Sequence, residues 1–251
     1  MKRAVSEHVL LHFHPDWPYR NTTVLDGMVS SGRYVSQFET GTSNGGLTAH
    51  PGGDRWNWES RLFDGRYDSA PASARPVYGA IDLGNDYGSA PRFGSAFLRL
   101  RHEVSHRATY CYPDSVFEPD GVVGMDGVST LIDQMRSDDL DPLDRYVEAH
   151  VHGGVVFATD VEAIVLDPCY RGTAVQSAAE LLSEVTFHRG FRVETAALDP
   201  RYRGAQYSEL AASLAGELTP ELLGIAARSQ AHTSQSLKKV WHLLARYGRR
   251  D

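Results

Sequence analysis

Residues 146–153 read Tyr-Val-Glu-Ala-His-Val-His-Gly, and this alternation limits the possible folds more than any other stretch of the chain. In a strand, successive side chains point to opposite faces. Glu148, His150 and His152 then share one face, and Val147, Ala149 and Val151 share the other. The apolar face can pack, whereas the ionisable face needs water, partners or chemistry. A carboxylate inside such a strand is poorly suited to a plain core. A second pair, His12 and His14, flanks Phe13 in an early strand that Pro15 ends.

The chain has 251 residues, 41% of them hydrophobic, enough for one large domain or a domain with an appendage. Its formal net charge of -7 argues against general nucleic-acid binding, which favours a basic face. Cys111 and Cys169 stand outside any CxxC or Cys/His zinc spacing, so the expectation is two free thiols in a cytoplasmic protein. No apolar run reaches the length of a membrane span. The segment Met1–Glu7 has no long apolar stretch behind it, so a cleaved leader is not expected; export as an effector by a leaderless route stays open.

Strands are predicted at 9–13, 34–39, 77–83, 95–101, 108–112, 146–152, 155–158 and 164–166. Helices are predicted at 23–30, 54–67 and 131–135, and the pattern turns helical from about Val175. Leu237, Val240, Trp241, Leu244 and Tyr247 mark an amphipathic last helix. Regular strand–helix alternation is absent, as are GxGxxG and Walker loops, so the class is α+β rather than a doubly wound sheet. We expect an α+β domain over 1–174 and a helical C-terminal extension over 175–251 packed on it.

Several motifs carry possible chemistry. His12, His14, Asp16, Glu148, His150 and His152 contain enough ligand atoms for a metal shell, although an HxH pair is also a common structural, hydrogen-bonded feature. Thr42-Ser43-Asn44-Gly45-Gly46 is a glycine loop of the kind that lets backbone approach a phosphate, or is simply a surface loop. Arg92, in Pro91-Arg92-Phe93-Gly94-Ser95, would meet a phosphate or carboxylate, with Ser95 on the same wall.

Taken together, His14-Pro15-Asp16, Gln37-Phe38-Glu39-Thr40-Gly41, Gly52-Gly53-Asp54-Arg55, Tyr78-Gly79-Ala80, Pro91-Arg92-Phe93-Gly94-Ser95, Asp114-Ser115 and Glu148–Gly153 resemble an uncharacterised bacterial domain-of-unknown-function family, number 3626, over roughly residues 8–173. His150 is a departure, since that family is expected to carry Gln there. The order of the pieces is also distantly similar to ADP-ribosyltransferases, including transferase domains found beside phage head proteins. That resemblance implies a split pair of small antiparallel sheets gripping NAD, which is the substrate rather than a resident cofactor. It also implies a His on the first strand, a Ser or Tyr on a middle strand and a Glu on a late strand. The matching residues are His14, Ser95 and Glu148 as the catalytic set. His12, Thr42, Ser43, Asn44, Gly45, Gly46, Tyr78, Arg92, Phe93 and His152 would contact NAD. The acceptor would be a protein, with nucleic acid and small molecules as other classes. Tyr146 stands two residues before Glu148, where arginine-modifying enzymes carry an acid or Gln, which counts against arginine as the target. A metal-dependent hydrolase built on the His/Glu cluster and a non-catalytic effector using the helical extension are the competing readings.

Overall fold

Strand β1 (Val9–Phe13) is buried at every position and lies inside the main sheet, paired antiparallel with β2 (Val77–Ile81) on one edge and β3 (Ala96–Leu100) on the other. The structure is a computed structural model describing residues 7–42 and 47–249. With β4 (Ala108–Cys111), β5 (Glu148–Val151), β6 (Val161–Leu166) and β7 (Glu184–Phe187), the sheet has seven strands in the order β7-β6-β3-β1-β2-β5-β4. Only β6 and β7 run parallel.

The class is α+β, but the expected split pair of small sheets is not formed. β1 hydrogen-bonds along both edges, so the strands that would have been divided are joined into one continuous sheet. Among the described residues, three two-stranded ribbons lie outside it.

The register sorts the side chains by face. Leu10 pairs with Ala80, Ala80 with Glu148, and Glu148 with Cys111; one step along, Tyr78 pairs with His150 and His150 with Thr109. These residues share one face, as the two-residue period requires. The other face presents Val9, Leu11, Val77, Ile81, Leu98, Val147, Ala149 and Val151 to the main core. That core is closed by Leu25 and Met28 of α1 (Val24–Ser31), Ile132 and Met135 of α3 (Val128–Ser137), and Ala179 of α4 (Ala174–Glu180). Helix α2 (Asp54–Leu62) supplies buried Arg55 and Glu59 on the opposite side.

Two local readings change. Residues 34–39 do not form one strand: Arg33–Tyr34 is a short strand and Gln37–Thr40 a single helical turn. Ser36 caps that turn, its hydroxyl accepting from the Glu39 N–H while the Glu39 carboxylate accepts from the Ser36 N–H. Beyond residue 174 the chain is not uniformly helical, because Glu184–Phe187 forms the edge strand β7. α5 (Ala205–Leu214), α6 (Pro220–Ser229) and α7 (Ser234–Tyr247) follow, and a second core forms around Leu143, Phe191, Leu223, Val240, Trp241 and Leu244. Both cysteines are free, Cys111 buried and Cys169 half-buried.

Candidate functional site

Glu148 opens β5 on the polar face and is 5% exposed. Its Oε1 accepts from the Ser115 N–H at 3.1 Å and from the His150 Nε2–H at 2.9 Å, and its Oε2 accepts from the Ser115 hydroxyl at 3.4 Å. Burial opposes ionisation, but the bond from His150, the charge of Arg55 and the bond from Ser115 hold the carboxyl below its ordinary value. Ser115 is placed by a single helical turn, Ser115–Phe117, capped by Asp114. Arg55 reaches across from α2 and donates to the Ser115 hydroxyl at 3.1 Å.

Glu148 forms part of the wall of a cleft of about 740 Å³. This is within the usual range for a small-molecule site. Arg20, Arg33, Arg55, Arg92 and Lys238 also line it, so the cleft of an acidic protein carries five cationic side chains. The Arg55 guanidinium lies 4.3 Å from the centre of the Tyr78 ring. Arg92 is tied to Asp144, while its Nε is buried without a partner. Lys238, on α7, has its pKa lowered to about 8 by burial and by the neighbouring charges of Arg92, Lys239 and Arg55. Gly94 lets the Pro91–Phe93 turn lie directly on β1, where a Cβ would meet the Phe13 backbone at 2.2 Å.

His14, Tyr78, Arg92, Phe93, Thr42 and His12 all line this cleft together with Glu148. His14, half-buried just past β1, stacks on Trp17 at 4.2 Å and meets Trp241 edge-on at 4.8 Å. Burial and nearby Lys238 push its pKa down to about 3, so the ring is neutral at ordinary pH. His12 is committed to structure: its Nδ1 donates to the Gly94 carbonyl at 3.3 Å, and its Nε2 accepts from the Ala90 N–H at 3.2 Å. Those bonds assign the neutral Nδ1–H tautomer and leave neither nitrogen for a ligand.

Two expected members lie elsewhere. Ser95 is 1% exposed and outside the cleft lining; its carbonyl accepts from His188 Nε2 at 2.8 Å. His152, one row beyond His150, lies against Tyr67 and Thr109 rather than in the cleft. Ser43, Asn44, Gly45 and Gly46 fall outside the described residues.

The five residues proposed as metal ligands, His12, His14, Glu148, His150 and His152, do not converge. Among the described residues, the group of three donor atoms within 4.8 Å of one another is Cys111, Glu148 and His150. These three already hydrogen-bond to each other, with the Cys111 thiol donating to Glu148 at 3.7 Å. Burial and the Glu148 charge keep that thiol protonated.

Arg55, Ser115 and Lys238 were not among the expected site residues. Asp114-Ser115 carries the signal of a capped turn, and Lys238 sits at helical spacing beside Leu237; neither signal names a ligand.

The family model described as "Protein of unknown function (DUF3626)" matches residues 8–134 and 122–247. The chain belongs to this family. The DUF3626 matches run through β1, β5 and α7, so every described wall of the cleft lies within them. "Gene 2 protein" of Mycobacterium phage D29 is 28% identical over 192 residues, covering 66% of this chain and 66% of that protein. The alignment thus spans just under two thirds of that relative's length. No helix of the described residues is long and apolar enough to cross a membrane.

Proposed function

We propose that this chain is an NAD-dependent ADP-ribosyltransferase-like enzyme that cleaves the nicotinamide–ribose bond and passes ADP-ribose to an acceptor. One observation carries the reading: an ionised, hydrogen-bonded carboxylate, Glu148, lines a 740 Å³ cleft whose walls also hold Arg55, Arg92 and Lys238. NAD combines a site of developing positive charge with a pyrophosphate, and the cleft offers both complements.

As the nicotinamide–ribose bond breaks, its electron pair leaves with nicotinamide and positive charge grows on the ribose. A fixed carboxylate favours that state over the ground state, and needs no reorganisation to do so. Arg92 and Lys238 suit the pyrophosphate, and the rings of Tyr78 and Phe93 offer faces for stacking. His14, a neutral imidazole in the same wall, suits a hydrogen bond to a ribose hydroxyl or carboxamide. The middle-strand place in the arrangement then falls to Tyr78, which lines the cleft, and not to Ser95. This reading rests on the site, since the continuous sheet differs from the split pair.

NAD labelled in its nicotinamide, incubated with the protein and candidate acceptors, is expected to release free label. Glu148→Gln keeps the shape and removes the charge. It should slow release by about a thousand-fold, as loss of a main electrostatic group does. No calorimetric binding of NAD and no release of label by the wild type would overturn the proposal.

A further inference from the structure

Glu148 is joined to half-buried His152 and to Tyr67 by an unbroken series of side-chain hydrogen bonds. The Tyr67 hydroxyl lies 2.6 Å from His152 Nδ1, and His152 Nε2 lies 3.0 Å from the Thr109 hydroxyl. That hydroxyl lies 3.3 Å from His150 Nδ1, and His150 Nε2 lies 2.9 Å from Glu148 Oε1. Aromatic rings sheathe the series. Phe63 meets His150 and His152 edge-on at 5.2 and 5.5 Å, and Tyr67 lies parallel to His152 at 5.9 Å.

Each member has limited proton capacity, so the direction of one bond dictates the next. A neutral imidazole carries one N–H and one acceptor nitrogen, and a threonine hydroxyl has a single proton. Burial raises the Tyr67 phenol, which keeps its proton and donates it to His152 Nδ1. His152 must then carry its proton on Nε2 and give it to Thr109. Thr109 turns its own proton to His150 Nδ1, and His150 must present Nε2–H to Glu148. Reversing any one bond would leave two donors, or two acceptors, facing each other in a partly buried row, at the cost of an unsatisfied polar group.

We propose that Tyr67, His152, Thr109 and His150 are positioning residues whose fixed polarity guarantees a proton donor at Glu148 and so keeps that carboxylate ionised. The proposal rests on the transferase reading only for what the ionised carboxylate does. The sequence ladder of Glu148, His150 and His152 is thereby a single device: the first residue carries the charge, and the other two orient the bond that maintains it.

Other groups bear on Glu148. Arg55 approaches from α2, Ser115 and Asp114 from their turn, Cys111 from β4 and Tyr146 from the lead-in to β5. Arg66 and Arg107 face His152. None of these supplies a proton to His150 Nδ1, which is the position Thr109 occupies.

The test needs no substrate. Nitrogen-15 spectra of the two rings are expected to show both as the Nε2–H tautomer in the wild type. Thr109→Val removes the central hydroxyl with little change of shape; it should mix the His150 tautomers and raise the Glu148 carboxyl titration, followed by carbon-13, by about one pH unit. Thr109→Ser should restore both signals. Tyr67→Phe, which removes only the proton that sets the direction, should mix the His152 tautomers and serves if the valine variant fails to fold. A wild-type ring with its proton on Nδ1, or a folded valine variant with unmoved Glu148 titration, would overturn the proposal. In NAD cleavage, the acid limb of kcat/KM should rise by the same amount in Thr109→Val and return in Thr109→Ser. If the spectra behave as expected but the wild type leaves NAD intact, the transferase reading fails and the positioning role stands.

Discussion

Ser115 grips Glu148 at both carboxylate oxygens, with its backbone N–H 3.1 Å from one and its hydroxyl 3.4 Å from the other. The same hydroxyl accepts from Arg55, so one small side chain joins a cation of α2 to the carboxylate of β5. Hydrogen bonds to charged groups contribute about 1.5–3 kcal/mol. Ser115→Ala should therefore lower stability to urea by about 2 kcal/mol, while the surviving backbone bond keeps Glu148 in place. NAD cleavage should fall more steeply on the acid side than in the wild type. Unchanged stability and pH profile would show the hydroxyl to be idle.

We expect Lys238 to make NAD binding sensitive to alkali. Its pKa is lowered to about 8, so the cation that lines the cleft is lost as pH rises through that value. The affinity for NAD measured by calorimetry should drop by about ten-fold between pH 7 and pH 9.5, about 1.4 kcal/mol. Lys238→Met should bind weakly at both pH values, with a flat profile.

Trp241 connects the last helix to the cleft wall. Its indole N–H donates to the Pro91 carbonyl at 2.9 Å and lies 3.2 Å from the Arg92 carbonyl, while its ring meets His14 and Phe191 edge-on. Trp241→Phe frees the turn that carries Arg92 and Phe93 and leaves a void in a fully buried position. We expect a stability loss of about 2–4 kcal/mol and a weaker NAD affinity in the protein that remains folded. A folded variant with wild-type affinity would separate the indole from the site.

His242 is 1% exposed, and neither ring nitrogen has a hydrogen-bond partner. Burial and the charges of Arg92 and Arg203 lower its pKa to about 2, against 6.5 when unfolded. Between those values the unfolded chain binds the extra proton, so stability falls as pH drops from 6.5 towards 2, by about 1.4 kcal/mol per pH unit from this residue. His242→Leu should flatten the acid side of a urea-denaturation series by that slope and leave stability at pH 8 equal or higher. An unaltered slope would mean that the ring is already protonated or solvated in the fold.

The period-two pattern at 147–152 revealed both faces of β5 because side-chain alternation is a local property. β1 and α1 were legible for similar reasons, with Pro15 ending one and Gly32 capping the other. Sheet continuity was not legible, since β1 finds its partners at Ala80 and Leu98, far along the chain, and no local pattern encodes both edges. Strand β7 has four residues amid helix-forming neighbours, too short to register as a period. The S-x-x-E spacing of Ser36 and Glu39 encodes the capping pair, whereas the β-prone Tyr34 and Val35 beside it pointed to a strand. In the cleft, Glu148, His14 and Arg92 stood out by type and Tyr78 through the family resemblance, whereas Arg55, Ser115 and Lys238 become neighbours only through tertiary packing. Ser95 seemed equivalent to Arg92 by adjacency, yet the sheet turns it under His188.

The cleft draws one wall from β1 and α2 and another from α7, the last helix of the described chain. A growing polypeptide therefore makes Glu148 long before it makes Lys238. Until synthesis passes residue 238, the carboxylate exists without the Lys238 cation in its cleft. Under the proposed transferase reading, the order of translation acts as a safety catch: a nascent chain that has not reached Lys238 lacks one of the cations that would hold the pyrophosphate.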